Sequence, residues 1–218
     1  MGKLYNLQDI HALTRVNLSM PTTSPLTLSQ QVFRTLAGQD LPHWPQVAAN
    51  LQTRQLGAQE WVFHQDESHP YLYVIVSGCV KLMYVQEDGK EWIKSFASEG
   101  QVFASMAALT AQGKTSFAVQ AISPVVLERI PYAILLSLAQ QELAWATALR
   151  QGFQAFAARK EKRERELLTL TPEQRYQAIA REEPALIRRI SQKDLASYVG
   201  VTPVGLNRII RRQIADVP

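Results

Sequence analysis

The side chains best suited to chemistry lie near the end of the chain. Asn207, Arg208, Arg211 and Arg212 fall within six residues of one another, on faces other than that of Leu206, Ile209 and Ile210. A guanidinium such as that of Arg208 can donate two parallel hydrogen bonds to guanine O6 and N7. Asn207 could reach an adenine edge or a phosphate. Arg211 and Arg212 are suited to phosphate oxygens, where charge-assisted hydrogen bonds are strong. This pattern points to duplex DNA.

Such side chains need a rigid helix under them. Ser191 is a good N-cap, because its hydroxyl can accept from an orphan N–H of a first helical turn. Leu195, Ala196 and Val199 then share one helical face. Gly200 stops that helix, where a left-handed residue is tolerated. Thr202 caps a second helix with Pro203 at its first position, where the missing N–H costs nothing. The spacing predicts a helix-turn-helix over 191–212, in which small Ala196 allows close crossing and Leu206 and Ile209 close the shared core. Ser191, Gln192, Thr202, Pro203 and Val204 complete the expected DNA-facing set. The plainer alternative is a helical hairpin with a basic solvent face.

Composition narrows the class. The chain has 218 residues, 46% hydrophobic, which suits a globular protein of one or two domains. Its formal net charge is +4, and the excess is uneven: 171–218 holds 8 Lys and Arg against 5 Asp and Glu. The positive charge thus accompanies the helices that would meet a phosphate backbone. One cysteine, Cys79, excludes an intrachain disulfide and an iron–sulfur cluster ligated by cysteines of one chain. The four histidines, His11, His43, His64 and His69, show no metal-ligand spacing, and His64 and His69 read as loop residues. No metal site, catalytic residue or cofactor is expected. There is neither a long apolar run nor a basic leader with an apolar core, so a cytoplasmic protein without membrane contact is expected.

Upstream, Leu4, Leu7, Ile10 and Leu13 could form one helical face before Pro21 and Pro25. Helices are predicted over 26–38 and 46–51. From residue 53 the period changes to two, and strands are predicted over 53–56, 60–64, 71–76, 79–86, 90–97, 117–122 and 125–130. Ser77-Gly78 predicts a tight turn, and Asp88-Gly89 a hairpin with a type I′ turn. Short strands at this spacing predict a jelly-roll β-domain, giving an α+β class. Helices follow over 133–140 and 142–170. Trp145, Leu149, Phe153 and Phe156 form a bulky stripe on the long one, suited either to its own β-domain or to a twin. Thr171-Pro172 breaks the helix, and another follows over 172–183. The expected division is an extension at 1–25, a β-domain at 26–132, a helical linker at 133–170 and a helix-turn-helix domain at 171–218.

This order of parts resembles the cyclic-AMP receptor protein/FNR (CRP/FNR) family of bacterial transcription regulators over residues 26–213. The marks are Tyr73-Val74-Ile75-Val76-Ser77-Gly78-Cys79-Val80-Lys81-Leu82, Asp88-Gly89-Lys90-Glu91, Glu99-Gly100-Gln101-Val102-Phe103, and the stretch 191–212. The resemblance implies a homodimer joined by long central helices, here through Trp145, Leu149, Phe153 and Phe156, and an effector site in the β-domain. It also brings RNA polymerase into view as a partner.

Nucleotide-binding members carry a Gly-Glu pair after the phenylalanine matched by Phe103, and an Arg-Ser or Arg-Thr pair further on. The matching positions here are Ser105-Met106 and Thr115-Ser116, with Lys114 alongside. The ribose-binding carboxylate and the phosphate-binding arginine are absent, so cyclic AMP is not expected to bind in the usual way. The effector is then another small molecule or none. In the recognition helix, Pro203 and Val204 stand where the best-known members have Arg and Glu, and Arg208 alone matches, which implies altered specificity. Six residues follow Arg212, too few for the β-hairpin wing of many members. The competing reading is a sensor working through protein contacts with a degenerate helix-turn-helix. An enzyme on a cupin-like β-roll would need clustered metal ligands.

Overall fold

The computed structural model describes residues 26–215, with side chains to Gln213. The expected helical face of Leu4, Leu7, Ile10 and Leu13 lies outside the described residues. Helix α1, Leu28–Ala37, starts at Thr27, whose Oγ1 accepts from the Gln30 N–H, and buries Val32 and Phe33. Helix α2, Trp44–Ala48, starts two residues before the expected segment, with Pro45 in its first turn and Trp44 and Val47 buried.

Eight strands follow: β1 Gln52–Leu56, β2 Trp61–Phe63, β3 Tyr71–Ser77, β4 Cys79–Val85, β5 Glu91–Ser98, β6 Val102–Phe103, β7 Ala118–Ala121 and β8 Val125–Pro131. They form two antiparallel four-stranded sheets, ordered β1-β8-β3-β6 and β2-β7-β4-β5. Side chains alternate across each strand, and the inward set, including Phe63, Tyr73, Ile75, Val80, Phe103, Val119 and Leu127, fills the space between the sheets. Ser77-Gly78 does not make a hairpin. β3 and β4 belong to different sheets, and the chain passes from one to the other there. The expected hairpin is β4–β5, with Val85 opposite Glu91. Its turn is not type I′. Only Gly89 has positive φ (79°), and its N–H donates to Gln86 O at 2.9 Å while Gln86 N donates to Lys90 O at 3.0 Å. The loop is therefore a three-residue connection with glycine at the left-handed position. Asp88 accepts from the Lys90 N–H at 2.9 Å instead of occupying that region itself.

Helices α3, Tyr132–Gln141, and α4, Leu143–Thr169, close the second core. Trp145 is fully buried in it, stacked on Trp44 with ring centroids 6.0 Å apart and tilted against Phe33 at 5.8 Å. Its indole N–H donates to Pro42 O at 2.8 Å, so the polar end of the ring is satisfied as well. Leu149 is buried in the same cluster, and Phe153 packs on it edge-to-face with Tyr132. Of the two roles open to this stripe, Trp145 and Leu149 take the intrachain one: their surface is spent on their own β-domain. The physical reason is a groove between α1, α2 and α3 that no local pattern announces.

The rest is helical: α5 Pro172–Glu182, α6 Pro184–Ile187, α7 Gln192–Val199 and α8 Pro203–Ala215. Thr171 begins α5 with a reciprocal capping box, accepting from the Gln174 N–H while its own N–H donates to Gln174 Oε1. Pro184 starts the short α6 besides ending α5, since proline suits a first helical position.

Candidate nucleic-acid interface and effector pocket

The cap of α7 forms as its sequence dictates. Ser191 Oγ accepts from the Asp194 N–H at 3.0 Å and donates to the Asp194 carboxylate at 2.9 Å. At the other end Gly200 has φ 86°, its N–H reaching Ala196 O and Ser197 O while Val201 N donates to Ala196 O. A side chain at Gly200 would also meet the Arg175 guanidinium at 3.3 Å. Thr202 Oγ1 then accepts from the Gly205 N–H at 3.1 Å and opens α8. Leu195, Ala196, Val199 and Leu206 are buried together with Ile179 of α5, with Ile210 packed against them, and Ile209 is buried outside this cluster. Across the turn, Thr202, Pro203, Val204, Asn207, Arg208, Arg211 and Arg212 are all exposed, as are Ser191 and Gln192 at the start of α7. The outer face of α8 therefore presents Asn207, Arg208 and Arg211 to solvent. Arg212 is tied to Glu173 of α5 at 2.9 Å. That pair is exposed and weak, so a phosphate can replace the carboxylate.

Arg175, which the sequence reading passed over, holds this unit to the long helix. Its guanidinium donates to Val199 O at 2.8 Å, Leu170 O at 2.7 Å and Leu167 O at 3.2 Å. One side chain thus satisfies carbonyls at the ends of two helices. An arginine one turn into a helix after a proline break is the signal that could have marked it.

The helix-turn-helix is docked on the β-domain. Ser197 Oγ accepts from the Ile93 N–H of β5 at 3.4 Å, and Tyr198 packs on Phe96 at 5.4 Å. Arg189 makes a two-pronged pair with Glu99 at 2.7 and 2.9 Å. Lys81 of β4 bridges Glu91 at 3.0 Å and Asp194 at 3.5 Å. Burial works against the Glu99 carboxylate, but hydrogen bonds from Arg189 and Gly78 outweigh it and hold its pKa below the usual carboxylate range. Cys79 is buried beneath this contact, and burial pushes its thiol up to about 11, so it is a packing group rather than a nucleophile.

Of the positions aligned with the nucleotide site, Ser105 and Ser116 come together and bond each other, while Thr115 is held by the 64–67 segment. Ser105 Oγ accepts from the Ser116 N–H at 3.0 Å. Thr115 Oγ1 donates to His64 O at 2.6 Å and accepts from the Glu67 N–H at 3.0 Å. Ser105 and Thr115 are 1% exposed, and Met106 and Lys114 bring neither carboxylate nor guanidinium. These residues do not fit a cyclic nucleotide. His69 pairs with Glu67 at 3.1 Å and Tyr73 at 2.9 Å, while His43 pairs with Glu142, and among the described residues no three metal-ligating side chains gather.

A larger space was not foreseen. A cavity of about 680 Å³ lies between β5, the C-terminal half of α4, α5 and α7. Lys94, Arg159, Lys160 and Phe156 face it; Ser105, Lys114, Thr115 and Ser116 do not. The readable trace was a lysine two residues from an aromatic ring on either side, Trp92 and Phe96; the β4–β5 register shifts at Lys94, so strand alternation does not fix the face it takes.

A jelly-roll β-domain, a long helix and a docked helix-turn-helix make this the fold of the CRP/FNR-type transcription regulators. Residues 53–142 match the cyclic nucleotide-binding domain family by sequence. Among solved structures, FixK2 from Bradyrhizobium japonicum superposes with a TM-score of 0.62 at 20% identity, covering 76% of this chain and 85% of that one. The c-di-GMP responsive global regulator CLP of Xanthomonas campestris gives 0.59 at 19% identity, covering 77% and 88%. The sensor domain of the transcriptional regulator DNR from Pseudomonas aeruginosa gives 0.51 at 26% identity, covering 66% and 95%. No curated protein sequence matches the chain.

Proposed function

We propose that this protein is a sequence-specific DNA-binding transcription regulator acting as a homodimer, with α8 as its recognition helix. The observation that carries the reading is the outer face of α8, where Asn207, Arg208 and Arg211 stand exposed above a fully packed helix-turn-helix core. Arg208 is the base-reading side chain, and Arg211 and Arg212 hold phosphates. Pro203 and Val204 set a specificity different from that of an Arg-Glu pair. The chain has no helix, among the described residues, long and apolar enough to cross a membrane. This reading assigns it no catalysis and places it in the cytoplasm, with RNA polymerase as a partner at the promoter.

The dimer uses the face of α4 opposite its buried side. Leu143 (79% exposed), Arg150, Gln154, Ala157, Glu161 and Leu168 (78% exposed) recur there at steps of three, four and seven. This is the period of a helix pair, and it leaves Trp145 and Leu149 in their intrachain core. Two-fold symmetry then predicts half-sites about 34–36 Å apart.

Selection of bound sequences from random duplexes tests the reading. A palindromic consensus is expected, and Arg208→Ala should weaken the selected site by about 1–3 kcal/mol while leaving a scrambled site unchanged. Failure to enrich any sequence, with or without cell extract, sinks DNA reading. The docked helix-turn-helix favours a second reading, a sensor acting through protein contacts, and it is the one left standing in that case.

A further inference from the structure

The cavity between β5, α4 and the helix-turn-helix has chemistry that packing does not explain. Three cationic side chains, Lys94 from β5 and Arg159 and Lys160 from α4, converge on it. Burying cations costs free energy unless an anion pairs with them. No ion pair joins any of the three to a carboxylate among the described residues. Glu166 and Glu182, also on the wall, are both taken by Lys162. Glu183 attracts Arg159 without forming an ion pair with it. Burial, and then repulsion from Lys160, drives Lys94 down to about 7. Nearby, the Arg163 Nε is buried without an acceptor.

The same wall is aromatic. Lys160 lies over Phe156 of that wall at 5.7 Å, and Lys94 Nζ sits 3.5 Å from the centre of the Phe117 ring, which belongs to the core between the sheets. Tyr84, Trp92 and Phe103 also line the space. A volume of about 680 Å³ falls within the usual range for a small-molecule site, roughly 300–1,000 Å³.

We propose that this cavity binds a small organic dianion with a flat apolar body, its charges held by Lys94, Arg159 and Lys160 and its body against Phe103 and Phe156. The anion removes the mutual repulsion of the three cations. Because Ser197, Tyr198 and Gly200 form part of the wall, the ligand also touches the docked helix-turn-helix. Phosphate monoesters and dicarboxylates share this chemistry. The inference does not depend on DNA binding, and its test contains no DNA.

Calorimetry of the full chain with 1-naphthyl phosphate, naphthalene-1,4-dicarboxylate and uncharged 1-naphthol separates the contributions. At least one dianion should bind at least tenfold more tightly than naphthol, and the stronger of the two identifies the phosphate or the carboxylate source. The double variant Lys94→Met/Lys160→Met should lose at least tenfold in that affinity. Arg34→Gln, an exposed position on α1 outside the cavity lining, should lose none. Thermal unfolding of the double variant shows whether it is folded, and Lys94→Arg, which keeps the charge, should retain binding. The proposal is overturned if neither dianion exceeds naphthol, or if the folded double variant binds as tightly as the wild type.

Discussion

The two halves of α4 meet the same β-domain in opposite ways. Through Leu149 the helix buries Trp145 and its neighbours in a dry core shared with α1, α2 and α3. Beyond Phe156 the buried side turns to Arg159, Lys160 and Arg163 and faces a cavity instead of a core. A close-packed contact has one arrangement and resists deformation. A contact made of charges around open space has its free energy set by what fills it. The first half anchors the helix, and the second is the part that a ligand can address.

Removing the anchor should have the largest effect. Trp145→Ala deletes a fully buried indole and should destabilise the β-domain by about 3–5 kcal/mol, read as a lowered urea midpoint. Ala157→Glu, on the exposed face of α4, should leave that midpoint nearly unchanged but dissociate the dimer in sedimentation. A monomeric wild type at micromolar concentration removes the dimer from the proposal.

The charged half should reveal itself through pH. Lys94 falls to about 7 in the fold from an ordinary 10.5. Between those values the unfolded chain binds the extra proton, so stability rises with pH. Relative to Lys94→Met, the wild type should therefore gain stability from pH 7 to 8.5. A difference independent of pH would show that Lys94 is not held in a cation-rich site.

Docking of the helix-turn-helix is a smaller quantity. Arg189→Ala leaves Glu99 half-exposed and should cost about 1 kcal/mol. It should also increase amide exchange along β5. The contribution of Glu99 is present above the unfolded carboxylate pKa and fades as pH falls through its lowered folded value. The smallest expected effect is that of cyclic AMP. With Ser105 and Ser116 bonded to each other, it should release no heat at micromolar concentration, and a micromolar dissociation constant would overturn that expectation.

Much of this architecture is written locally. Ser191, Gly200 and Thr202 each act within one turn of chain, and the helix-turn-helix follows from them. The Asp88-Gly89 hairpin was legible in position but not in turn type, because a bulged loop and a type I′ turn accept the same two residues. The stripe from Trp145 to Phe156 could be recognised as buried, but its partner could not, since the groove it fills is assembled from α1, α2 and α3. Lys94 escaped for a related reason. A lysine in an alternating strand reads as a solvent position, and only the distant return of α4 puts a roof over it.

Arg175 has a mechanical consequence. By clasping the Leu167 and Leu170 carbonyls at the end of α4 and the Val199 carbonyl at the turn between α7 and α8, Arg175, itself on α5, welds the helix-turn-helix to the last turn of the long helix. Thr171-Pro172 looks like a joint, but it is braced. Any swing of α8 relative to the β-domain must then originate upstream of Leu167, with the end of α4 travelling as part of the load. A bend or rotation of a few degrees in the cation-lined stretch would be levered out to the exposed arginines of α8.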